Sequence, residues 1–407
     1  MLILSNGFPT NMPDSEKVSQ GGPANFARLF TSYITSNTDH RWIGVMLQTT
    51  LSKTCRLYKK YSLPPREYYR LYMPKKSLRN VTQAASLRDD PAKILEEPIA
   101  RLAKLMEQVK PDVVFLNGFG LLNWMLLKAP ELGRIPAVIQ HAGIWTKELW
   151  IHRKMYTTAG RKMMQQMEKD STHLTTAEIF LNEWSKNYYR QHVAARSDNN
   201  TYIVPLPFNF DSFKTLNTDR PAAPLANNSE KFNIGVIARW DEIKNHKMIL
   251  AAAKIAKRHD LAWQMYAVTS IPETKDGGRQ KREYEKYIHV IPSLDREGVF
   301  QFCKSVDLLI QPSLFDVSPT VVLEAMSSGT PIAISPTVGY VHDFVTHKAD
   351  DWVLNTADPS SMVESIAKIE HKTMPQSLHK HLAKIHNQEF VFKSYLDLFE
   401  RVTRNQS

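Results

Sequence analysis

The 407-residue chain is 43% apolar, 23% charged and 10% aromatic, which is ordinary globular usage and excludes a disordered chain, a collagen-like chain and a disulfide scaffold. Its length allows two domains with a sizeable core each, or one large barrel. Lys and Arg number 52 against 41 Asp and Glu, a formal net charge of +11, so we expect an anionic partner.

Two further features bear on the compartment. Cys55 and Cys303 are too few for a zinc cluster and are typical of a reduced, cytosolic protein. No apolar run approaches the roughly 18 residues of a membrane span. The N-terminus has neither a basic start nor a small-residue cleavage site, so it predicts a first strand rather than a signal peptide.

Short apolar runs alternate with amphipathic stretches along the chain, which predicts βαβ units and parallel sheets. Most of the runs are continuously apolar, as expected for strands covered on both faces. The predicted strands are Leu2–Leu4, Trp42–Met46, Val113–Leu116, Ala137–Gln140, Ile234–Ala238, Trp263–Val268, Leu308–Gln311 and Pro331–Ser335. The predicted helices are Pro23–Tyr33, Ala92–Val109, Lys247–Arg258, Arg296–Cys303, Thr320–Ser328 and Ser360–Ile369. The alternation breaks at residues 194–232, so we expect a domain boundary near Pro205–Asp211.

Gly21 and Gly22 follow the first predicted strand, and Pro23 opens the helix after them. Glycines let the backbone approach a ligand closely, and proline suits a first helical turn. The unpaired N–H groups and the helix dipole there favour an anion such as a phosphate. An ordinary tight turn before a helix would show the same pattern.

Residues 53–79 hold most of the positive charge, with a net charge of +8. The cations are Lys53, Arg56, Lys59, Lys60, Arg66, Arg70, Lys75, Lys76 and Arg79, against the single acid Glu67, and five tyrosines are interleaved among them. Such a segment predicts docking on an anionic membrane surface. Nucleic acid, a phosphorylated glycan and a solvated loop-and-helix face are the alternatives.

Arg239 and Lys244 come directly after the strand Ile234–Ala238. Open α/β sheets bind ligands at the carboxyl ends of their strands. An arginine fork and a lysine point charge suit a diphosphate, and could stabilise the charge on a departing nucleoside diphosphate. In isolation, two solvated loop charges would explain the pair as well.

The stretch from Ser313 to Pro331 carries two acids. Asp316 lies in the loop after the strand Leu308–Gln311, and Glu324 lies in the next helix, within a mostly apolar run where a carboxylate needs a partner. We expect Ser318 to cap that helix and Pro319 to occupy its first position. The two acids and the N–H groups near Val317–Val321 are then expected to face one cleft, where a carboxylate can hold ribose hydroxyls and the helix N-terminus can hold phosphate.

These motifs resemble the retaining glycosyltransferases of family 4, which have the GT-B fold of two Rossmann-like doubly wound domains facing a central cleft. The resemblance rests on Asp316-x7-Glu324-Ala325-Met326 followed by Gly329-Thr330-Pro331, on Arg239-x4-Lys244, and on Gly21-Gly22. It implies an N-terminal acceptor domain, residues 1–205, and a C-terminal donor domain, residues 206–387, with a helix at about 388–407 packing back on the first. This sequence departs from the family pattern at Asp316, where the family has Glu, and at Asn245, where the family has Gly.

The resemblance also implies roles for single residues. Arg239 and Lys244 would hold the diphosphate, and Glu324 the ribose hydroxyls. Asp316 and His141 would lie at the donor sugar. Further contacts to the nucleotide sugar are expected from Gly21, Gly22, Ile291, Ser318, Pro319 and Thr320. The co-substrate would be a UDP- or GDP-sugar, and no metal or other cofactor is expected.

The leading hypothesis is therefore a metal-independent retaining glycosyltransferase acting on a glycan or lipid-linked acceptor. Its location would be cytoplasmic, or peripheral on the inner face of a membrane, and no nucleic acid would be bound. One alternative is a catalytically weak GT-B partner subunit that binds glycan or protein, which Asp316 favours and the intact Arg239, Lys244 and Glu324 oppose. A nucleic-acid-binding protein is supported by charge alone.

Overall fold

The computed structural model of the chain describes residues 1–6, 22–61, 67–86, 88–129, 133–211 and 231–404. The chain divides into two compact units. Unit 1 contains the described residues up to Leu206 and those from Glu389 onward, and unit 2 contains Pro207–Gln388. These limits differ by one residue from those expected from the sequence.

Unit 1 is built on an eight-stranded sheet in the order β3-β4-β2-β1-β5-β6-β7-β8, in which β3 and β4 pair antiparallel and all other neighbours pair parallel. The strands are β1 (Leu2–Asn6), β2 (Arg41–Thr50), β3 (Arg56–Tyr61), β4 (Glu67–Pro74), β5 (Val113–Asn117), β6 (Ala137–His141), β7 (Ala177–Phe180) and β8 (Thr201–Ile203). Every residue of β5, β6 and β7 is buried, because helices cover both faces of a parallel sheet.

Eight helices of unit 1 connect these strands. They are α1 (Gly22–Asn37), α2 (Lys75–Thr82), α3 (Pro91–Ile94), α4 (Glu96–Val109), α5 (Leu121–Leu127), α6 (Trp145–Ile151), α7 (Thr158–Leu174) and α8 (Glu183–His192). Helices α4, α5 and α7 pack their apolar stripes against one face of the sheet and form its main core.

The other face of the sheet in unit 1 carries an aromatic layer. Helix α16 (Gln388–Arg404) is the last described helix of the chain. Its Phe392 stacks on Phe30 of α1, with ring centroids 5.1 Å apart, and its Phe399 lies 5.2 Å from Phe115 of β5. The Tyr395 hydroxyl of α16 donates to Gln140 Oε1 over 2.8 Å. The C-terminal helix thus completes the core of the unit that begins the chain.

The basic segment 53–79 is not the loop-and-helix face considered from the sequence. It forms the antiparallel hairpin β3–β4 at the edge of the sheet, followed by α2. In β4, Leu71 and Met73 are fully buried, whereas Tyr72 between them is only partly buried. This alternation is typical of a strand with one face on the core.

Unit 2 has a five-stranded, all-parallel sheet in the order β11-β10-β9-β12-β13. Its strands are β9 (Phe232–Ile237), β10 (Trp263–Val268), β11 (His289–Ile291), β12 (Leu308–Gln311) and β13 (Ile332–Ile334). Its described helices are α9 (His246–Arg258), α10 (Lys275–Tyr284), α11 (Arg296–Ser305), α12 (Thr320–Ser328), α13 (Val341–Thr346), α14 (Pro359–Ile369) and α15 (Gln376–Ile385). The strand order reverses between β9 and β12, and such a reversal opens a crevice at the carboxyl ends of the strands.

Among the described residues, no helix is both long enough and apolar enough to cross a bilayer.

Candidate functional site

The loops after β9 and β12 meet where the strand order of unit 2 reverses. The loop after β9 contains Arg239 and ends in a 3-10 turn, Glu242–Lys244. The loop after β12 contains Asp316. The structure thus brings Lys244 and Asp316 together at the edge of the sheet where ligands bind.

Lys244 and Asp316 form a half-buried ion pair. The Lys244 ammonium donates to Asp316 Oδ2, and the two side chains are 16% and 15% exposed. Gln311 Nε2, at the end of β12, donates to the same carboxylate oxygen over 3.3 Å. An ammonium has three N–H donors, so Lys244 can bind a second anion without leaving Asp316.

Backbone contacts fix this pair in place. Asn245 adopts a left-handed conformation with φ 59° and donates from Nδ2 to the Pro312 carbonyl over 3.1 Å. The Leu314 N–H donates to the Ile243 carbonyl over 2.8 Å. Glycine and asparagine are the residues that adopt this conformation most readily, which explains why Asn245 can stand where the family pattern has glycine.

The loop after β13 holds Asp316 from its other side. The Asp316 N–H donates to the Thr337 carbonyl over 3.1 Å, and the Asp316 carbonyl accepts from Gly339 over 2.8 Å. The hydroxyls of Ser335 and Thr337 both donate to the Ser313 carbonyl, over 2.6 and 2.7 Å. The carboxylate is therefore held by a rigid loop, as a preorganised site requires.

Arg239 is exposed, and its guanidinium makes no hydrogen bond or ion pair within the described part of the chain. Its backbone is fixed by His246, whose Nε2 donates to the Arg239 carbonyl over 2.9 Å. His246 stacks on Trp240 at 4.4 Å and contacts the Tyr284 hydroxyl at 3.1 Å. Burial lowers the pKa of His246, so the ring is neutral and acts as a brace while the Arg239 side chain remains available to a ligand.

Glu324 lies on α12 and faces α11. Although part of the residue reaches the surface, its carboxyl group is enclosed, and burial raises its pKa to about 7, against a smaller opposing effect of the Arg296 charge. In the described ranges the Glu324 carboxylate has no hydrogen bond or ion pair. The partner expected from the sequence is thus absent there, and a ligand hydroxyl could fill that role.

Helix α12 begins at Thr320, as predicted, but the expected cap is wrong. Pro319 precedes the helix rather than occupying its first position, and no side chain caps it. The Ser318 hydroxyl instead contacts the Tyr340 hydroxyl at 2.9 Å in a buried pair. The Val322 N–H donates to the Pro319 carbonyl over 3.2 Å, whereas the N–H groups of Thr320 and Val321 have no acceptor inside the helix and could meet a phosphate.

Ile291 ends β11, and its carbonyl accepts from the Thr269 N–H over 3.0 Å. Ser293, two residues on, contacts the Ser270 hydroxyl at 2.7 Å. The loops after β10 and β11 are thereby joined beside the site.

The remaining candidates belong to unit 1. Gly22 is the first residue of α1, and Gly21 lies outside the described residues. His141 ends β6 and is fully buried: its Nε2 contacts Glu178 Oε1 at 3.0 Å, and its ring stacks on Phe180 at 4.5 Å. The role of His141 in catalysis stays a prediction, because these contacts by themselves explain it as part of a buried network.

Five residues of the site were missed by sequence reasoning: Gln311, Ser335, Thr337, Gly339 and His246. Ser335, Thr337 and Gly339 contact a loop more than 20 residues away, whereas Gln311 and His246 contact Asp316 and Arg239 within seven residues; no local pattern signals any of these contacts. In the ranges that the structure describes, no three His, Cys, Asp or Glu side chains converge in a way that could hold a metal ion.

Two sequence comparisons place these motifs among known proteins. Residues 218–388 match the family model described as Glycosyl transferases group 1, a range that includes Arg239, Lys244, Asp316 and Glu324. The chain is also 27% identical over 146 residues to the Putative glycosyltransferase EpsF of Bacillus subtilis (strain 168), covering 34% of this chain and 36% of that protein. The match thus spans about a third of the curated relative's length.

Solved structures match over nearly the whole chain. Sucrose-phosphate synthase from Thermosynechococcus elongatus is 14% identical with a TM-score of 0.71, covering 99% of both chains. An E. coli trehalose-6-phosphate structure bound with UDP-2-fluoro glucose is 13% identical with a TM-score of 0.66, covering 98% of both. At such identities the likeness establishes the fold, and it confirms the expected GT-B class.

Proposed function

We propose, from the match of residues 218–388 to the family model described as Glycosyl transferases group 1, that the protein is a retaining glycosyltransferase using a nucleotide-diphosphate sugar. The observation that carries the proposal is a set of groups in unit 2: an exposed guanidinium, an anchored ammonium–carboxylate pair, and a carboxyl group one turn into α12 that has no hydrogen bond or ion pair among the described residues.

The donor's diphosphate would bind Arg239 and Lys244. As the bond between the anomeric carbon and the phosphate oxygen breaks, negative charge grows on the leaving nucleoside diphosphate, and preorganised cations stabilise that charge. Because the E. coli neighbour holds UDP-2-fluoro glucose, UDP-sugars are the first donors to test, with GDP-sugars next.

The nucleoside would be held by Glu324 and by backbone groups. A carboxylate without a protein partner can accept two hydrogen bonds from ribose hydroxyls. The N–H groups at Thr320, with Ser318 and Pro319 shaping the approach, would face a phosphate, and Ile291 would border the base.

The sugar would lie near Asp316. The support for roles of His141 and Gly22 is the resemblance to the retaining glycosyltransferases. Support for retention is the Asp316-x7-Glu324 motif and its resemblance to retaining enzymes. Asp316 has a second task, since it anchors the Lys244 ammonium.

We further propose that no divalent metal is required, because two cationic side chains and a helix N-terminus can neutralise a diphosphate as a metal does elsewhere. Undiminished turnover in EDTA is expected. Loss of turnover in EDTA, with recovery on adding magnesium or manganese, would overturn this part.

The acceptor would be a glycan or a lipid-linked glycan, and the enzyme would work in the cytoplasm, at the inner face of a membrane. The support for the membrane is the basic surface of unit 1, to which Lys75, Lys76 and Arg79 contribute exposed charge.

One experiment tests the central claim: nucleoside diphosphate release is measured across a set of nucleotide sugars for the wild type, Lys244→Ala and Arg239→Ala. We expect release with at least one donor, and a loss of about a hundred-fold or more in each variant. Arg258→Ala is the matched control, since Arg258 is an exposed cation at the end of α9. Wild-type rates in both site variants would exclude the assignment. Nucleotide binding without release would favour the catalytically weak partner subunit, which the Asp316 replacement suggests.

A further inference from the structure

Unit 1 carries three unusually exposed apolar side chains in the segments that flank helix α2 and precede α7. Leu51 is 87%, Met155 64% and Trp150 56% exposed, which places them among the five most exposed large apolar side chains of the described chain. Exposing large apolar side chains to water is unfavourable in free energy, and several of them close together indicate an interaction surface.

Contacts at both ends of α2 place Leu51 and Met155 near it. Thr50, the residue before Leu51, pairs with Pro74, the residue before α2. At the other end Gln83 Nε2 donates to the Met155 carbonyl over 2.7 Å. Because an eight-residue helix is about 12 Å long, Leu51 and Met155 bracket a compact area.

The same area is strongly cationic. Lys75, Lys76 and Arg79 of α2 are exposed, and they form no ion pair with residues that the structure describes. Residues 145–155 add Lys147, Arg153 and Lys154 against one acid, Glu148. We call these six cations with Leu51, Trp150 and Met155 the α2 patch.

The cations of the neighbouring hairpin are engaged differently. Lys59 pairs with Glu67 at 2.6 Å, and the Arg70 guanidinium lies 6.0 Å over the Tyr68 ring. The exposed cations of α2 therefore differ from Lys59 and Arg70, which already have partners within the hairpin.

Trp150 is held in an interfacial arrangement. The Lys147 ammonium lies 5.1 Å and the Arg153 guanidinium 5.0 Å from its ring centroid. A tryptophan flanked by cations suits the boundary of a bilayer, where the ring enters the headgroup region and the cations remain at the lipid phosphates.

We propose that the α2 patch docks unit 1 onto an anionic lipid bilayer, with Leu51, Trp150 and Met155 entering the headgroup region. The exposed leucine and methionine favour a bilayer over a nucleic acid. A nucleic acid binds cations through its phosphates and aromatic rings through base stacking, and it offers no site for aliphatic side chains. The docking specifies which surface of the protein would meet the membrane named in the proposed function, and it does not depend on the sugar-transfer chemistry.

Vesicle flotation of the full chain tests the proposal. Wild type should bind vesicles of phosphatidylglycerol and phosphatidylcholine and should not bind phosphatidylcholine alone. The variant Lys75→Glu, Lys76→Glu, Arg79→Glu should lose roughly a hundred-fold in partition, since each cation near an anionic surface contributes about a five-fold factor. Trp150→Ala should lose about five-fold or more, and binding should weaken as salt rises.

Lys368→Glu, Lys380→Glu, Lys384→Glu is the matched control, because it makes the same change in net charge at exposed positions of unit 2. Equal losses of vesicle partition in both triple variants would show that net charge alone explains the binding, and would overturn the proposal that the α2 patch docks. Wild-type partition in the α2 variant, equal binding to uncharged vesicles, or binding to a polynucleotide in place of vesicles would also overturn it. Nucleoside diphosphate release in vesicle-free buffer should be unchanged in the α2 variant, which separates failure of the docking from failure of the proposed function.

Discussion

Glu324 shows how one residue can couple stability to ligand binding. Burial raises its pKa from 4.5 to about 7, so between these pH values the folded protein keeps a proton that the unfolded chain has released. The free energy of unfolding therefore falls as pH rises through this window. The loss is on the order of 3 kcal/mol at most, and a ligand that donates hydrogen bonds to the carboxylate would recover part of it.

We predict that Glu324→Gln stabilises the ligand-free protein at pH 8, because the amide cannot ionise, while nucleoside diphosphate affinity falls about ten-fold or more. Urea unfolding at pH 5 and pH 8 should show a smaller pH dependence in the variant than in the wild type, and calorimetry gives the affinity. A variant with the wild-type pH dependence, or with unchanged affinity, would contradict the assignment of this carboxylate.

At the scale of elements, the position of α2 depends on one glycine of α7. A Cβ built on Gly160 would lie 2.2 Å from the carbonyl oxygen of Thr82, the last residue of α2. Thr157 also donates from its hydroxyl to the Ala84 carbonyl over 2.8 Å. The backbone at the start of α7 therefore packs directly against the backbone at the end of α2.

Gly160→Ala should displace α2, with a loss of about 1–3 kcal/mol in the free energy of unfolding and weaker binding to anionic vesicles. Thermal unfolding and flotation measure the two effects. Gly133→Ala, where a Cβ would meet nothing within 4 Å, should change neither quantity. A Gly160→Ala protein with wild-type stability and wild-type vesicle binding would contradict the claim that the position of α2 depends on Gly160.

The sequence predicts the buried elements best. The strands Trp263–Val268 and Leu308–Gln311 were predicted at their observed bounds, because strands buried on both faces are continuously apolar. The hairpin β3–β4 was missed, since at a sheet edge charged and aromatic side chains replace that pattern.

Within the site, the sequence gives the charges but not their partners. The motifs place Lys244 and Asp316 in loops after two strands of one domain, but their ion pair is seen only in the structure. Ser318 was wrongly predicted as a cap because Tyr340, 22 residues later, is the partner of its hydroxyl, and the sequence does not reveal such a long-range competitor. The brace provided by His246 was also missed, because a histidine near the start of a helix has no pattern that indicates a contact with the Arg239 carbonyl.

At the scale of the whole molecule, the last helix is part of the first unit's core. Phe392, Tyr395 and Phe399 of α16 are fully buried, and they pack against Phe26, Phe30 and Phe115 from the first third of the chain. Unit 1 is therefore complete only when residues from Glu389 onward are in place.

Phe392→Ala should lower the free energy of unfolding of unit 1 by about 3–5 kcal/mol and leave unit 2 unaffected. Hydrogen exchange reports the two units separately, with loss of protection expected in β1, β5 and α1 but not in β9 or β12. Lys393→Ala, at the exposed neighbouring position, should have no effect. Uniform loss of protection in both units would show that they do not unfold independently.

This connectivity also has a consequence for synthesis on the ribosome. Roughly 200 residues are made between the end of the first stretch of unit 1 and its closing helix, which takes about 10–40 s at ordinary elongation rates. During that delay Phe26, Phe30 and Phe115 lack their covering partners, whereas the described residues of unit 2 lie in one later part of the chain, which can fold as soon as it emerges. The nascent chain should therefore mature in reverse order, with its second half native before its first, and its early aromatic surface is where a chaperone would bind.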